Sequence, residues 1–190
     1  TIHGDTLWVA DMDGVHGFDR RSGAHLRFVD MSEHEPGFIN DVDVDGSGVL
    51  YATDTQLGRI YRIGAERATI AVEDSMTGPP NGITWDDERA AFLLAPWGGE
   101  QRLRTWDPAT GAFAEVTTLP GGNFDGIEVV GGGILLASQA DSSLHFFDGT
   151  AVRTVARVPG RPADIGVDTQ RGRVAVPYIA LNRVDIWELR

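Results

Sequence analysis

The fold of this chain is decided by the stretch Pro80-Asn81-Gly82-Ile83-Thr84-Trp85-Asp86. It begins with turn residues and a carboxamide side chain, and it continues as a short segment in which apolar and polar residues alternate. This alternation is typical of a half-buried β-strand that follows a turn. The same pattern occurs at residues 39–45, 124–129 and 163–168. The chain is therefore built from repeats, and the repeat decides the architecture before any single element does.

One position is equivalent in all four segments when they are aligned on their paired apolar residues. This position lies two residues before the first strand hydrophobe and contains Asn40, Asn81, Asp125 and Ala163, which are 41, 44 and 38 residues apart. A period near 40 residues that is filled with short β patterns predicts the four-stranded blades of a β-propeller. Helical repeats would show apolar residues at i, i+3, i+4 and i+7, and the sequence contains no such stretch.

Each repeat divides into four strand patterns. The second pattern is the most apolar, as expected for strands that are buried on both faces between adjacent blades. It occurs at residues 7–10, 49–52, 91–95, 134–137 and 174–176. The fourth pattern is more polar and predicts an outer edge strand at residues 26–29, 69–72, 113–117 and 152–156.

The first and last repeats are incomplete. The first begins at or just after its innermost strand, and the last ends after its third strand. We therefore expect an all-β fold in which residues 1–190 form a single β-propeller domain of the six-bladed type. About five four-stranded blades are expected in this chain, and the N-terminal part of the propeller is expected to precede Thr1.

Composition narrows the function classes. The 190 residues suffice for one sizeable core, and the net charge of -12 argues against nucleic-acid or anionic-membrane partners, which need a basic surface. The absence of cysteine excludes disulfides, thiolate zinc sites and cysteine nucleophiles. No apolar run approaches the ~18 residues of a membrane helix. Compartment, cytoplasmic or exported, and oligomeric state stay open.

The oxygen-bearing side chains at the equivalent position suggest a cation site. The innermost strands of a propeller line its central channel, so Asn40, Asn81 and Asp125 are expected to point towards a common centre. A hard cation such as calcium takes six to eight oxygen ligands from carboxylates, amides and water. The alternative is that these side chains only cap backbone groups where a turn meets a strand.

Other candidate residues carry weaker signals. Trp97 follows the second strand of its blade and is a candidate for packing against a substrate, with a surface-loop aromatic as the alternative. Asp41 and Asp164 share a second equivalent position, one residue further on, and we expect mainly structural roles for them. The alternatives are that Asp41 extends the site and that Asp164 replaces the side chain that Ala163 lacks. The five histidines share no equivalent position, which argues against a histidine metal cluster. The serines lack the Gly-x-Ser-x-Gly pattern of a nucleophile elbow.

The order of three motifs resembles a known family. The motifs are Asn40-Asp41 followed by Asp45-Gly46-Ser47-Gly48, then Pro80-Asn81-Gly82-Ile83, then Phe124-Asp125-Gly126. They resemble the gluconolactonase/regucalcin (senescence marker protein) family of six-bladed propellers, which is related to paraoxonase-type and strictosidine-synthase-like proteins. The resemblance extends over essentially the whole chain.

The resemblance implies a divalent cation in the channel, usually calcium, which zinc or manganese can replace. Asn81 and Asp125 resemble the family's direct metal ligands, and Asp125 also resembles its proposed general base. Asn40 resembles the residue that binds substrate or completes the metal shell. The family's remaining ligand, a Glu at the start of the first channel strand, has no counterpart from Thr1 onward.

The expected function is that of a metal-dependent hydrolase of the lactonase type, in which the cation activates water against a lactone or ester carbonyl. Asp125 is the expected catalytic residue, and the substrate-binding candidates are Asn40 and Trp97. The expected metal ligands are Asn81, Asp125 and Asn40. The alternative is a non-enzymatic propeller that binds a small ligand or a protein, because one fold hosts many functions.

Overall fold

The computed structural model describes residues 1–189, which form nineteen β-strands in five antiparallel sheets and two 3-10 helices of three residues each. The first sheet contains β1 (Ile2–His3), β2 (Thr6–Asp11), β3 (Gly14–Asp19) and β4 (His25–Asp30). The second sheet contains β5 (Ile39–Val44), β6 (Leu50–Asp54), β7 (Arg59–Ile63) and β8 (Ala68–Glu73). The 3-10 helices, Ser32–His34 and Ser75–Thr77, precede β5 and the third sheet.

The remaining sheets repeat this order. The third sheet contains β9 (Pro80–Asp86), β10 (Ala91–Pro96), β11 (Arg102–Trp106) and β12 (Phe113–Thr118). The fourth sheet contains β13 (Phe124–Val130), β14 (Gly133–Ser138), β15 (Ser143–Phe147) and β16 (Val152–Arg157). The fifth sheet contains β17 (Gly166–Asp168), β18 (Arg173–Tyr178) and β19 (Arg183–Glu188).

The five sheets are the blades of a propeller. The innermost strands β5, β9, β13 and β17 contact one another in succession. They enclose a channel of about 100 Å³ that residues from all five repeats line, including Thr1 beside β1. The all-β propeller and its five blades are therefore confirmed. The fifth blade has three strands within residues 1–189 instead of four, and a six-bladed ring stays a prediction.

The core of the molecule lies between the blades. Strands β6, β10 and β14 are buried along their whole length because a neighbouring sheet covers each of their faces. Between the second and third blades, the Tyr51 ring packs edge-on against Phe92 and Trp106, at centroid distances of 5.2 and 5.3 Å. Such aromatic pairs add about 0.5–1.5 kcal/mol each beyond the burial of their area. The apolar second strand of each repeat is thus what joins successive blades.

The first and fifth blades are covered on one face only within residues 1–189. On β2, Trp8 packs towards the second blade, whereas Leu7 and Val9 point away from it and are exposed. On β19, Trp187 packs towards the fourth blade, whereas Val184 and Ile186 are 59% and 61% exposed. Among these residues, no helix has the length and apolar composition that a membrane crossing requires.

Candidate functional site

The three predicted oxygen-bearing residues begin the same local irregularity in three successive blades. Pairing between the first and second strands of the second, third and fourth blades is broken by a β-bulge at Asn40-Asp41, Asn81-Gly82 and Asp125-Gly126. A bulge re-aims a side chain that regular pleating would direct elsewhere. All three bulges lie at the end of the channel where β5, β9 and β13 begin, which is called the mouth below. The equivalence that the sequence predicts is therefore a real structural equivalence.

Asn81 has a fully desolvated side chain with one unsatisfied oxygen. The residue is 2% exposed, and its Nδ2 donates to the backbone oxygen of Phe124 in the next blade at 3.1 Å. Its own backbone oxygen accepts a hydrogen bond from Thr53 Oγ1 at 2.7 Å. The side-chain Oδ1 is buried and has no hydrogen-bond partner among residues 1–189. An unpaired buried acceptor costs about 1–3 kcal/mol, so this oxygen is suited to an electron-poor ligand.

The Asp125 carboxylate is half-buried and has a neutral partner. Gln139, which directly follows β14, donates from Nε2 to Asp125 Oδ2 at 2.6 Å. Burial raises the pKa of Asp125 to about 6, and the hydrogen bond from Gln139 offsets only part of that rise. The group therefore holds a proton more readily than an exposed aspartate does, and it is still mostly ionised at neutral pH.

The structure brings Asn81 and Asp125 together through their backbones. A Cβ atom on Gly82 would overlap the backbone oxygen of Asp125, so the glycine allows β9 and β13 to approach closely. Asn40 lies in the equivalent bulge of β5 and is half-buried, but no hydrogen bond within residues 1–189 joins it to Asn81 or Asp125. Ala163 takes the same position in the fifth blade and supplies no side-chain oxygen.

Trp97 belongs to a ring of four equivalent residues at the mouth. Its backbone N–H donates to the oxygen of Pro79, in the segment that leads to β9, at 3.0 Å. The first residue after the second strand makes the same bond in the second, fourth and fifth blades. These rim residues are Thr55, Trp97, Gln139 and Ile179. Trp97 is half-buried, and its role in substrate packing stays a prediction. Sequence reasoning singled out Trp97 and missed Gln139, although the two residues follow their second strands in the same way.

A second set of acids lies deeper in the channel. The side chains of Asp41 and Asp43 reach the next blade, where they accept hydrogen bonds from the backbone N–H groups of Ile83 and Trp85 at 2.8 and 2.7 Å. Innermost strands are sheet edges, and their free N–H groups need acceptors. The structural role that the sequence predicts for Asp41 agrees with these bonds. Asp43 was missed as a channel residue, although its alternation with the apolar Val42 and Val44 signals that position.

The channel acids hold their protons unusually well. Burial, together with the charges of Asp43 and Asp41, raises the pKa of Glu128 to about 7. Desolvation by the surrounding strands, together with the charges of Asp125 and Glu128, raises the pKa of Asp164 to about 7, although the residue is partly exposed. The pKa of Asp41 is raised well above its usual value by burial and by the charge of Asp164. The channel therefore contains excess negative charge that a proton or a cation would relieve.

The donor set at the mouth is rich in amide oxygens and poor in carboxylates. Residues 1–189 contain no group of three His, Cys, Asp or Glu side chains placed to share a metal ion. A cation at the mouth would therefore depend on Asn81 Oδ1 and on one carboxylate, that of Asp125. These ligands suit calcium, which accepts amide oxygens and water, better than zinc, which prefers nitrogen and sulfur ligands. The unpaired Asn81 oxygen fits such an ion.

Fold similarity places the chain among the β-propeller proteins. A Bacteroides thetaiotaomicron protein of unknown function has a TM-score of 0.78 at 14% identity, over 95% of this chain and 55% of its own. A chain of a nidogen–laminin complex has a TM-score of 0.73 at 13% identity, over 97% of this chain and 76% of its own. Virginiamycin B lyase from Staphylococcus aureus has a TM-score of 0.66 at 11% identity, over 97% of this chain and 67% of its own.

These similarities define the fold and not the activity. The chain spans as little as 26% of one similar structure, the extracellular domain of a one-component system from B. thetaiotaomicron. No protein-family model and no curated protein matches the sequence. The gluconolactonase/regucalcin resemblance therefore stays a prediction within the confirmed β-propeller class.

Proposed function

We propose that this propeller is a cation-dependent hydrolase of the lactonase type, acting on a small lactone or ester at the mouth of the channel. The observation that carries the proposal is the buried Asn81 Oδ1, which has no partner among residues 1–189 and lies beside the segment that carries Asp125. A desolvated amide oxygen beside the segment that carries a half-buried carboxylate is an arrangement that a hard cation stabilises. The raised pKa values of the channel acids favour a cation in the same way.

Asn81 and Asp125 would hold the cation, and Asn40 would complete its ligands or bind the substrate. Calcium is the preferred ion, with zinc or manganese as alternatives that the family resemblance implies. When bound, the ion supplies Lewis-acid polarisation of the carbonyl that is attacked.

The chain's own residues would supply a general base and a surface that binds the substrate. Asp125, with a pKa of about 6, is ionised at pH 7 and accepts a proton from an attacking water. The half-buried Trp97 provides an apolar surface for the body of the substrate, while Asn40 offers a hydrogen bond to a polar group.

Cation titration and hydrolysis assays with matched variants test this function. Calcium binding is measured by calorimetry, and turnover by pH-stat with an aliphatic lactone, a sugar lactone and an aryl ester. Asp125→Asn should weaken calcium binding and lower kcat/KM at least about 100-fold, as loss of a general base does. Asp13→Asn, an exposed aspartate in the turn between β2 and β3, is the matched control and should behave as the wild type. Unchanged turnover in Asp125→Asn would rule out the mechanism.

A ligand-binding propeller without catalysis is the second candidate. The loops at the mouth carry exposed apolar side chains, namely Phe38, Leu57, Met76, Ile179 and Leu181. Exposed apolar side chains at one end of a fold are candidates for a ligand-binding surface. Absence of saturable calcium binding, combined with absence of turnover on all three substrates, would favour this alternative.

A further inference from the structure

Gln139 is anchored at both ends to the segment that carries Asp125. Its backbone N–H donates to the oxygen of Asn123 at 3.2 Å, and its side-chain Nε2 donates to Asp125 Oδ2 at 2.6 Å. Gln139 is 6% exposed, so water competes little for this hydrogen bond. One oxygen of the Asp125 carboxylate is therefore occupied by a fixed donor.

The partner of this rim residue differs from blade to blade. In the second blade, Thr55 Oγ1 donates to the backbone oxygen of Pro80 at 2.8 Å, and the rim residues of the third and fifth blades are the apolar Trp97 and Ile179. The fourth blade alone combines a carboxylate at the bulge with a long amide at the rim. The pairing of Gln139 with Asp125 is thus specific to the blade that contains the acid.

A neutral donor has a different effect on a carboxylate from that of a charged one. Arginine or lysine would neutralise Asp125 and compete with a cation for it. An amide N–H occupies one oxygen and leaves the negative charge available. With Oδ2 held by the fixed donor of Gln139, Oδ1 is the oxygen better placed to bind an ion, while Oδ2 keeps one lone pair. A carboxylate without such a partner can bind calcium through both oxygens.

We propose that Gln139 is a positioning residue that restricts Asp125 to single-oxygen binding of the cation, so that one coordination position stays open for water or substrate. This inference rests on the proposed function. An ion held by amide oxygens and one carboxylate oxygen keeps more of its water than an ion that is chelated by both carboxylate oxygens. The open position is where an attacking water or a substrate carbonyl would bind.

The number of bound waters tests the inference without any activity assay. Terbium(III) replaces calcium, and its luminescence lifetimes in H₂O and D₂O report the waters on the ion. Gln139→Met keeps the length of the side chain and removes the donor. We expect terbium on this variant to carry about one water fewer than on the wild type, because Asp125 then binds through both oxygens. The variant should also bind terbium more tightly, by a few-fold.

Gln101→Met is the matched control. Gln101 Nε2 donates to the backbone oxygen of Gly121 at 2.8 Å, at the same end of the channel but not to Asp125. This variant should show the wild-type number of waters. If Gln139→Met fails to fold, Gln139→Leu replaces it, since a leucine also removes the donor to Asp125 Oδ2 and adds no oxygen ligand.

The outcomes separate this inference from the proposed function. Terbium binding with the same number of waters in the wild type and in the folded Gln139 variant overturns the role of Gln139 and leaves the cation site intact. No terbium binding to the wild type overturns the cation site, and the role of Gln139 falls with it. A lower number of waters in both Gln139→Met and Gln101→Met overturns the specific role of Gln139, because any lost amide would then act alike.

Discussion

Aspartates at the two ends of the propeller lie in different surroundings. At the end away from the mouth, Asp19 and Asp107 accept hydrogen bonds from Ser22 and Ala109 within their own turns. Hydrogen bonds from Ser22 lower the pKa of Asp19, and hydrogen bonds from Thr110 and Ala109 lower that of Asp107. At the mouth, burial raises the pKa of Asp125 to about 6.

The comparison shows that burial and partners from other strands, and not residue type, decide which acids have raised pKa values and can take part in chemistry. The turns away from the mouth are closed by local hydrogen bonds in water. The groups at the mouth are desolvated and meet partners from other strands or other blades, as Asn81 meets Phe124. Raised pKa values and unpaired polar atoms in a concave site are what functional sites have in common. Four experiments test this contrast, and the largest expected effect comes first.

The close approach of the innermost strands is the most sensitive feature of the mouth. Gly82→Ala places a Cβ against the backbone oxygen of Asp125, which cannot move without separating β9 from β13. We expect a loss of about 3 kcal/mol or more in the free energy of unfolding, measured by urea denaturation. Gly166→Ala is the control, because a Cβ at Gly166 meets no atom within 4 Å. Equal losses in the two variants would contradict tight packing at the mouth.

The channel acids should make stability fall as pH rises. Glu128 and Asp164 have folded-state pKa values of about 7, above those of the unfolded chain, so the folded state binds more protons between about pH 4 and pH 7. Stability is therefore fully present below about pH 4 and decreases as the pH rises through about 7.

Urea denaturation at pH 5 and pH 8 in EDTA measures this slope. Glu128→Gln should reduce the slope, because it removes one of the titrating groups while an amide oxygen remains to accept a hydrogen bond. Added calcium should also reduce the slope if it binds at the mouth. Equal stability at pH 5 and pH 8 in the wild type would show that the channel acids are not strained by burial.

Loss of the cross-blade hydrogen bond of Asp43 should lower the free energy of unfolding less than Gly82→Ala does. Asp43→Ala leaves the N–H of Trp85 without its acceptor at 2.7 Å, and we expect a loss of about 1–2 kcal/mol in unfolding free energy. Asp43→Asn retains an acceptor oxygen and should recover most of that stability. Similar losses in the two variants would assign the effect to the charge and not to the hydrogen bond.

The smallest effect is expected away from the mouth. Asp107→Ala removes the acceptor for Ala109 N and Thr110 Oγ1 in an exposed turn. Both hydrogen bonds lie within the turn and join no other part of the molecule. The thermal midpoint should fall by about 2 °C, and cation binding should not change. A change in calcium or terbium affinity would break the contrast between the two ends.

The blades could be predicted because their signals are local. The second and fourth strand patterns agree with β2, β4 and their equivalents within two residues, since alternation and apolar runs reflect strand geometry itself. The bulges at Asn40, Asn81 and Asp125 could not be predicted. One extra residue in the pairing of two strands depends on the partner strand, which the alternation of a single strand does not report.

The sequence by itself determined the repeat, and with it the propeller class and the equivalence of Asn40, Asn81 and Asp125. Periodicity and turn residues are properties of neighbouring positions along the chain. Only the tertiary structure decided that the Asn81 oxygen has no partner among residues 1–189, that Asp125 has Gln139 as its donor, and that the channel acids lose part of their hydration. The physical reason is that burial and hydrogen bonding are set by neighbours from other strands and blades, as Phe124 beside Asn81 lies 43 residues away in the chain.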